Sequence, residues 1–261
     1  MRHNKHITLA VSIIFLLTGV SCRTIDTPKT TGVFDDLAGK HRAAEARLAT
    51  DAAQAMQEGK TTEALNRYEQ LYKKSIPTFF KDEKERSTVA VNYAQLLRKT
   101  GKSERALEIL APYAEGRGGK VKRNADPMVL NEYSAALIEQ DRLTEAEKIL
   151  NQVLEDGSAS EYHADAYNLL GIVLDAQGKH TEAEQSFHQA LDGWKGDKTS
   201  VMNNLAICQA AQGKFDEALL TLRQALVMAP KKEVVAHNIQ LITDLRQAVL
   251  PQPPQPLRTN P

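Results

Sequence analysis

One short stretch recurs five times in this chain, and the recurrence strongly limits the possible folds. Each copy starts with a glycine, replaced once by aspartate, and has an alanine five positions later. The turn residues, separated by 42, 40, 37 and 35 residues, are Gly59, Gly101, Asp141, Gly178 and Gly213. Glycine can adopt the left-handed conformation that ends a helix, and the Thr or Asp that follows in most copies is expected to N-cap the next helix. One turn per period in this range predicts a helical repeat array.

Two columns of small residues accompany the turns. The column seven residues before each turn contains Ala52, Ala94, Ser134, Gly171 and Ala206, and the column five residues after it contains Ala64, Ala106, Ala146, Ala183 and Ala218. Nine residues after each turn stands a large apolar residue: Tyr68, Leu110, Leu150, Phe187 or Leu222. These spacings place apolar side chains on one face of each helix and let paired helices approach closely. A single pair cannot bury this face, so the pairs are expected to stack.

The pattern predicts five helix pairs and one unpaired final helix. The pairs are expected at 41–58 and 62–74, 87–100 and 104–115, 127–140 and 144–156, 163–177 and 181–192, and 199–212 and 216–228. The segment from 233 to about 250 is amphipathic and has no partner helix, so we expect it to cap the exposed end of the array. Residues 251–261 contain five of the ten prolines and are expected to be disordered.

The units resemble tetratricopeptide repeats, a family with a period of about 34 residues. The fourth unit matches the family pattern best, with Tyr167, Leu170, Gly171, Leu174, Gly178, Ala183, Phe187 and Ala190. The resemblance implies an all-α fold, a right-handed α-solenoid of about five helix hairpins with a C-terminal capping helix, over residues 41–250. Units one to three exceed the family period, so their connecting loops should hold the extra residues.

The N-terminus is typical of a targeting segment. Arg2 and Lys5 precede a mostly apolar run, Ile7 to Val20, that is too short to span a bilayer. The run ends at Cys22 and resembles a bacterial lipoprotein signal, with Gly19 standing where Leu is usual. The resemblance implies a signal peptide at 1–21, acylation of Cys22, a lipidated tether at 22–40 and export to the outer membrane, with the repeats facing the periplasm. A plain secretory signal and an uncleaved anchor are the alternatives.

Charge and motifs argue against several function classes. Residues 22–261 carry 31 Lys and Arg against 33 Asp and Glu, which does not favour nucleic acid. The basic run Lys120–Arg123 is interpreted as a solvated loop rather than a phosphate site. No catalytic, nucleotide-binding or metal-binding motif is present. His180 and His188 are too sparse for a metal site, and Cys208 is expected in the core. We therefore expect no enzyme activity, cofactor, metal or small-molecule substrate.

A column of asparagines suggests a binding face. Asn131, Asn168 and Asn203 stand ten residues before the last three turns, and asparagine is a mediocre residue inside a helix. In proteins with this repeat, the first helix of each pair lines a concave groove, where asparagines often bind the backbone of a ligand. The same spacing adds Asp165, Ile172, Asp175 and Ile207. The alternative is that these asparagines bond neighbouring helices or water.

The order of signal, lipid cysteine, tether, repeats and cap resembles lipoproteins of pilus and secretion assembly, most of all the TadD-type lipoproteins of the Flp (tight adherence) pilus system. This resemblance implies a protein-binding scaffold that helps an outer-membrane secretin to reach or assemble in its membrane. Type IV pilus pilotins and adaptor lipoproteins for peptidoglycan hydrolases are the alternatives. In each case the expected partner is an envelope protein.

Overall fold

The computed structural model describes residues 40–75 and 83–249, and all of its regular elements in these ranges are helical apart from one isolated β-bridge. The helices are α1 (Lys40–Gln57), α2 (Thr61–Ser75), α3 (Glu83–Lys99), α4 (Ser103–Ala114), α5 (Pro127–Glu139), α6 (Leu143–Glu155), α7 (His163–Ala176), α8 (His180–Gly193), α9 (Thr199–Ala211), α10 (Phe215–Met228) and α11 (Glu233–Val249). The predicted pairs are confirmed, with most ends within one residue of the expected positions. The exception is α3, which begins four residues earlier than predicted.

Each of the five turns is built in the same way. The turn residue has a positive φ, between 56° at Asp141 and 78° at Gly178. In the second turn, the amide of Gly101 donates to the carbonyl of Arg98, and the amide of Lys102 donates to that of Leu97, at 2.9 and 2.8 Å. This pair of bonds is a Schellman motif, which satisfies carbonyls at the helix end. The predicted left-handed helix stop is therefore confirmed in every copy.

The predicted N-caps are wrong. The cap position in α4, α6, α8 and α10 is occupied by Lys102, Arg142, Lys179 or Lys214, and none of these side chains caps the helix. The reason is that the residue after the turn closes the preceding helix with its amide and starts the next helix with its carbonyl. The carbonyl of Lys102, for example, accepts the amide of Ala106 at 3.1 Å. So short a connection leaves no residue between the two helices to serve as a side-chain cap.

The small-residue columns lie in the core. Every alanine of the two columns is fully buried, as is Ser134. The large apolar column is equally buried, from Tyr68 at 2% exposure to Leu222 at 0%. The helices pack within pairs, as α1 on α2 and α9 on α10, and between pairs, as α2 on α3 and α10 on α11. Stacked helix pairs therefore form the core, as the sequence pattern predicts.

The chain divides within α7 into two compact units, the first ending at Val173 and the second beginning at Leu174. A buried ion network links α3 to α5 in the first unit. Arg98 lies 2.7 Å from Glu132 and 2.8 Å from Glu139, and the Arg98 side chain is only 4% exposed. Burial raises the pKa of Glu132, although the attraction of Arg98 opposes the shift. The network thus satisfies charges that would otherwise be costly to bury.

The second unit ends in the predicted final helix. Val235 and Ile242 of α11 are fully buried in a cluster with Ala206, Phe215 and Leu222. Ile239 and Leu245 pack against the same cluster, while Val234 and Val249 remain exposed at 40% and 46%. Helix α11 therefore covers the apolar face of α10, which is the position expected of a capping helix.

Several sequence predictions fall outside the described residues. These are the signal peptide, acylation of Cys22, most of the tether and the disordered tail at 251–261. Among residues 40–75 and 83–249, no helix combines the length and apolar character needed to cross a membrane.

Candidate protein-binding surface

The three column asparagines are buried side chains on the first helix of their pairs. Asn131 on α5, Asn168 on α7 and Asn203 on α9 are 7%, 5% and 3% exposed. Their regular spacing arises because each occupies the same position in successive repeats. Such burial leaves little of each amide for contact with another molecule.

Two of these asparagines bond to the element that follows their own helix pair. Asn131 Nδ2 donates to the carbonyl of Tyr162, the residue before α7, at 3.0 Å. Asn203 Oδ1 accepts from Asn238 Nδ2, on α11, at 2.7 Å. These bonds favour the alternative in which the column connects neighbouring helices. Direct contact of the asparagines with a partner stays a prediction.

The remaining predicted groove residues are placed similarly. Ile172, Asp175 and Ile207 are 3%, 5% and 2% exposed, and only Asp165 is half-buried. Asp175 Oδ1 lies 2.6 Å from Nδ1 of His180. The structure thus keeps the predicted residues on the first helices, but it buries all of them except Asp165. Their role in binding a partner also stays a prediction.

The first and second helices of a pair differ in exposure. In α5, nine consecutive residues from Val129 to Leu137 are buried, because this helix packs against neighbours on several sides. In α6, only Ala146, Ile149, Leu150 and Val153 are buried, so the rest of the helix is available to solvent. In this pair the second helix therefore exposes more of its residues than the first.

The first unit contains a cleft of about 730 Å³. It lies between the start of α3, the end of α4, and the loops that precede α5 and α7. Tyr113 and Tyr162 contribute aromatic surface, and Pro127 and Val129 contribute aliphatic surface. We call it the inter-repeat cleft. A mixed apolar and polar hollow of this size can accept side chains of a peptide segment.

The charge of the inter-repeat cleft is mainly negative. Four carboxylates line it, against two lysines: Glu83, Asp126, Asp156 and Glu161, with Lys84 and Lys122. Lys122 is engaged within the chain, because its Nζ donates to the carbonyl of Pro112 at 2.8 Å and lies 3.8 Å from Glu83. The cleft therefore favours a segment with a basic side chain.

The loop from Glu115 to Asp126 forms one wall of this cleft and is held in place by the chain. Glu115 and Val121 form an isolated antiparallel bridge, and Gln152 Nε2 donates to the carbonyl of Lys122 at 3.0 Å. The basic run Lys120–Arg123 is thus part of an ordered loop. The asparagine pattern gave no sign of this cleft; the signal that could have found it is the extra length of the second and third repeats.

Residues 127–196 and 162–231 each match a tetratricopeptide repeat family model. Residues 127–231 are therefore similar to tetratricopeptide repeats. The match begins at the first residue of α5 and continues past the end of α10, so it includes three helix pairs of the structure.

Solved structures of tetratricopeptide repeat proteins share the fold. A thermophilic protein of this kind from Thermus thermophilus is 21% identical, with a TM-score of 0.62 over 76% of this chain and 98% of that one. Another, from Parabacteroides merdae, is 16% identical, with a TM-score of 0.51 over 79% of this chain and 75% of that one. No curated protein sequence matches significantly. At these sequence identities the similarity to the solved structures shows a shared fold. Tetratricopeptide repeats indicate a protein–protein interaction scaffold.

Proposed function

We propose that this protein is a lipid-anchored scaffold of the outer membrane, whose repeats bind another envelope protein during assembly of an Flp (tight adherence) pilus or secretion complex. The observation that carries the proposal is the run of tetratricopeptide repeats over 127–231. Repeats of this kind present extended surfaces to other polypeptides. The lipoprotein-like ending at Cys22 supports attachment to a membrane, and the order of segments supports a role in pilus assembly.

The proposed partner is a secretin, which this scaffold would help to reach or assemble in the outer membrane. The proposed contact is the inter-repeat cleft. Its excess of carboxylates suits a partner segment with Lys or Arg, and its tyrosine rings can pack on the stem of such a side chain. The cleft is lined by residues of the second and third repeats, so a single helix hairpin could not form it.

Affinity purification from membranes tests the choice of partner. The full chain, tagged at its C-terminus, is purified from detergent-solubilised envelopes, and the proteins that accompany it are identified by mass spectrometry. A secretin recovered in stoichiometric amounts supports the proposal. Peptidoglycan hydrolases would support an adaptor role instead, and the absence of any envelope partner would contradict a scaffold function.

A charge reversal tests the contact surface. Glu161 lines the cleft and is exposed, so Glu161→Lys should reduce recovery of the partner at least tenfold without unfolding the chain. Glu104→Lys is the matched control, because Glu104 is exposed at the start of α4 and does not line the cleft. Equal loss of partner in both variants would show that overall charge, rather than the cleft, governs the interaction.

Replacement of the lipid cysteine tests the location. The Cys22→Ser variant should leave the membrane fraction and be recovered from the periplasm, because the proposed acyl chains would be missing. Retention of the variant in the outer membrane would contradict acylation at this position, and recovery of the unaltered chain from the cytoplasm would contradict export.

A further inference from the structure

Three residues with metal-binding side chains meet in the second unit, outside the inter-repeat cleft. Asp175 lies in the last turn of α7, His180 is the first residue of α8, and Cys208 lies in α9. Their ligand atoms all lie within 4.8 Å of one another. The sequence separates them by up to 33 positions, which is why spacing alone did not suggest a site.

The cluster is largely removed from solvent on one side and open on the other. The Asp175 side chain is 1% exposed and Cys208 is fully buried, whereas the His180 side chain is 31% exposed. Burial raises the pKa of Asp175, although the hydrogen bond from His180 opposes the shift. Burial, together with the nearby charge of Asp175, also raises the pKa of the Cys208 thiol. The carboxyl and the thiol thus meet in a buried position, with an imidazole at its open edge.

We propose that Asp175, His180 and Cys208 bind a divalent transition-metal ion of the zinc class. One thiolate, one imidazole and one carboxylate are ligands that such an ion accepts, and sulfur and nitrogen donors disfavour Mg²⁺ and Ca²⁺. A dication balances the charges of the ionised thiol and carboxyl. Binding releases the thiol proton to solvent, and a water molecule completes four-fold coordination at the exposed edge of His180.

The rearrangement needed is small. Asp175 Oδ1 and His180 Nδ1 are 2.6 Å apart, whereas two ligands on a tetrahedral ion with bonds of about 2.0–2.1 Å are about 3.3 Å apart. The half-exposed imidazole can rotate to provide this separation. The Cys208 thiol, which now donates to the carbonyl of His180 at 3.2 Å, would turn toward the ion. Gln212 Nε2 lies 3.7 Å from the sulfur and can donate to the thiolate.

The surroundings support an ordered site. Gln212 Nε2 also donates to Glu184 Oε2 at 2.9 Å, and the same carboxylate oxygen accepts from Lys214 Nζ at 2.7 Å. Outer partners of this kind orient metal ligands. The bound ion would tie the turn between α7 and α8 to helix α9, and thereby restrain the packing of α8 and α9.

Cobalt titration of the purified full chain tests the proposal. A bound Co²⁺ with a thiolate ligand gives a near-ultraviolet charge-transfer band and visible bands of tetrahedral coordination. We expect these bands to saturate at one equivalent and to disappear when Zn²⁺ is added. Cys208→Ser should abolish the charge-transfer band, whereas His188→Gln, which removes an exposed imidazole outside the cluster, should leave it unchanged. Persistence of the band in Cys208→Ser would overturn the proposal.

A thermal measurement covers the case in which a Cys208 variant fails to fold. Zn²⁺ should raise the melting temperature of the unaltered chain and of His188→Gln, because His188 is exposed on α8 and is not one of the three ligands. The same addition should leave the melting temperature of His180→Gln unchanged. If Zn²⁺ gives the same shift in all three proteins, or none in the unaltered chain, Asp175 and His180 form an ordinary hydrogen bond beside a core thiol.

Discussion

At the scale of single residues, each repeated turn depends on two adjacent positions, the turn residue and the basic residue after it. The turn glycine supplies a positive φ that other residues adopt at a cost. The basic residue after it then joins two helices through its amide and its carbonyl. Both bonds are made by the backbone of that basic residue, so its side chain takes no part in them.

The conformational requirement of the turn can be measured at Gly101. Gly101 has φ +73° and a Cβ added there would meet nothing within 4 Å, so Gly101→Ala should cost about 1 kcal/mol of unfolding free energy through backbone strain alone. Urea denaturation of the full chain measures this cost. Gly157→Ala is the control, because Gly157 has equally open surroundings without a positive φ, and its substitution should leave the midpoint nearly unchanged. Equal effects of the two substitutions would contradict the role assigned to the turn.

Helix ends were largely predictable from sequence because the stop signal is local to the turn. The start of α3 was missed since residues 83–86 are charged and contribute nothing to an apolar period. Glu83 and Glu85 nevertheless fall in the first turn, where they interact favourably with the helix dipole. The N-caps were missed because the residue at each cap position also closes the preceding helix. The sequence preference for particular cap residues does not account for a residue that two helices share.

At the scale of helices, polar contacts between successive repeats supplement apolar packing. The burial of the asparagine column could not be predicted from sequence, because a regular polar position is compatible with either a ligand-binding face or contact with a neighbouring helix. The hydrogen bonds of Asn131 with Tyr162 and of Asn203 with Asn238 favour contact with a neighbouring element. The cluster of Asp175, His180 and Cys208 and the inter-repeat cleft were missed for a similar reason, because each is formed by residues from different elements.

The role of Asn203 can be separated from ligand binding by its effect on stability. Asn203→Ala leaves Nδ2 of the buried Asn238 without its acceptor and should cost about 1–3 kcal/mol. Asn204→Ala, at the neighbouring half-buried position, is the comparison and should cost less. Chemical denaturation of both variants provides the measurement. Unchanged stability with lost partner binding would instead favour the groove prediction.

The buried network around Arg98 predicts a larger loss. Arg98→Met removes the cation from Glu132 and Glu139, and should destabilise the chain by about 3–5 kcal/mol because a buried carboxylate is left without compensation. Arg105→Met is the control, since its pair with Glu108 is half exposed and such pairs contribute about 0–1 kcal/mol. Similar midpoints for the two variants in urea would contradict the assignment of a buried network.

The loop before α9 predicts a pH dependence. Burial alone would raise the pKa of Asp197, but hydrogen bonds from Lys232 and Thr199 outweigh it and lower the pKa from 3.8 to about 2. A carboxyl with a lowered pKa stabilises the fold above its unfolded pKa and loses this contribution as the pH falls through the folded value. The unaltered chain should therefore lose more stability between pH 3.8 and about pH 2 than Asp197→Asn does. Parallel stability curves over this range, from thermal melts, would contradict the assignment.

At the scale of the whole molecule, the repeats are expected to act as a surface for another polypeptide. The fold was predictable because every repeat has the same sequence pattern for a helix pair. A helix pair with one apolar face must be covered by another pair. The partner was not predictable in the same way, because the scaffold fixes the fold while the exposed residues of individual repeats decide what binds.

Site-specific photo-cross-linking in living cells tests the binding surface most directly. A photoreactive amino acid replaces the uncharged, exposed Asn124 in the inter-repeat cleft or, as the control, Glu104 on the exposed side of α4. We predict a single cross-linked envelope protein from position 124, identified as a secretin, and little or none from position 104. Equal cross-linking at both positions, or none at position 124 in a folded and exported chain, would contradict the proposal that the cleft binds an envelope partner.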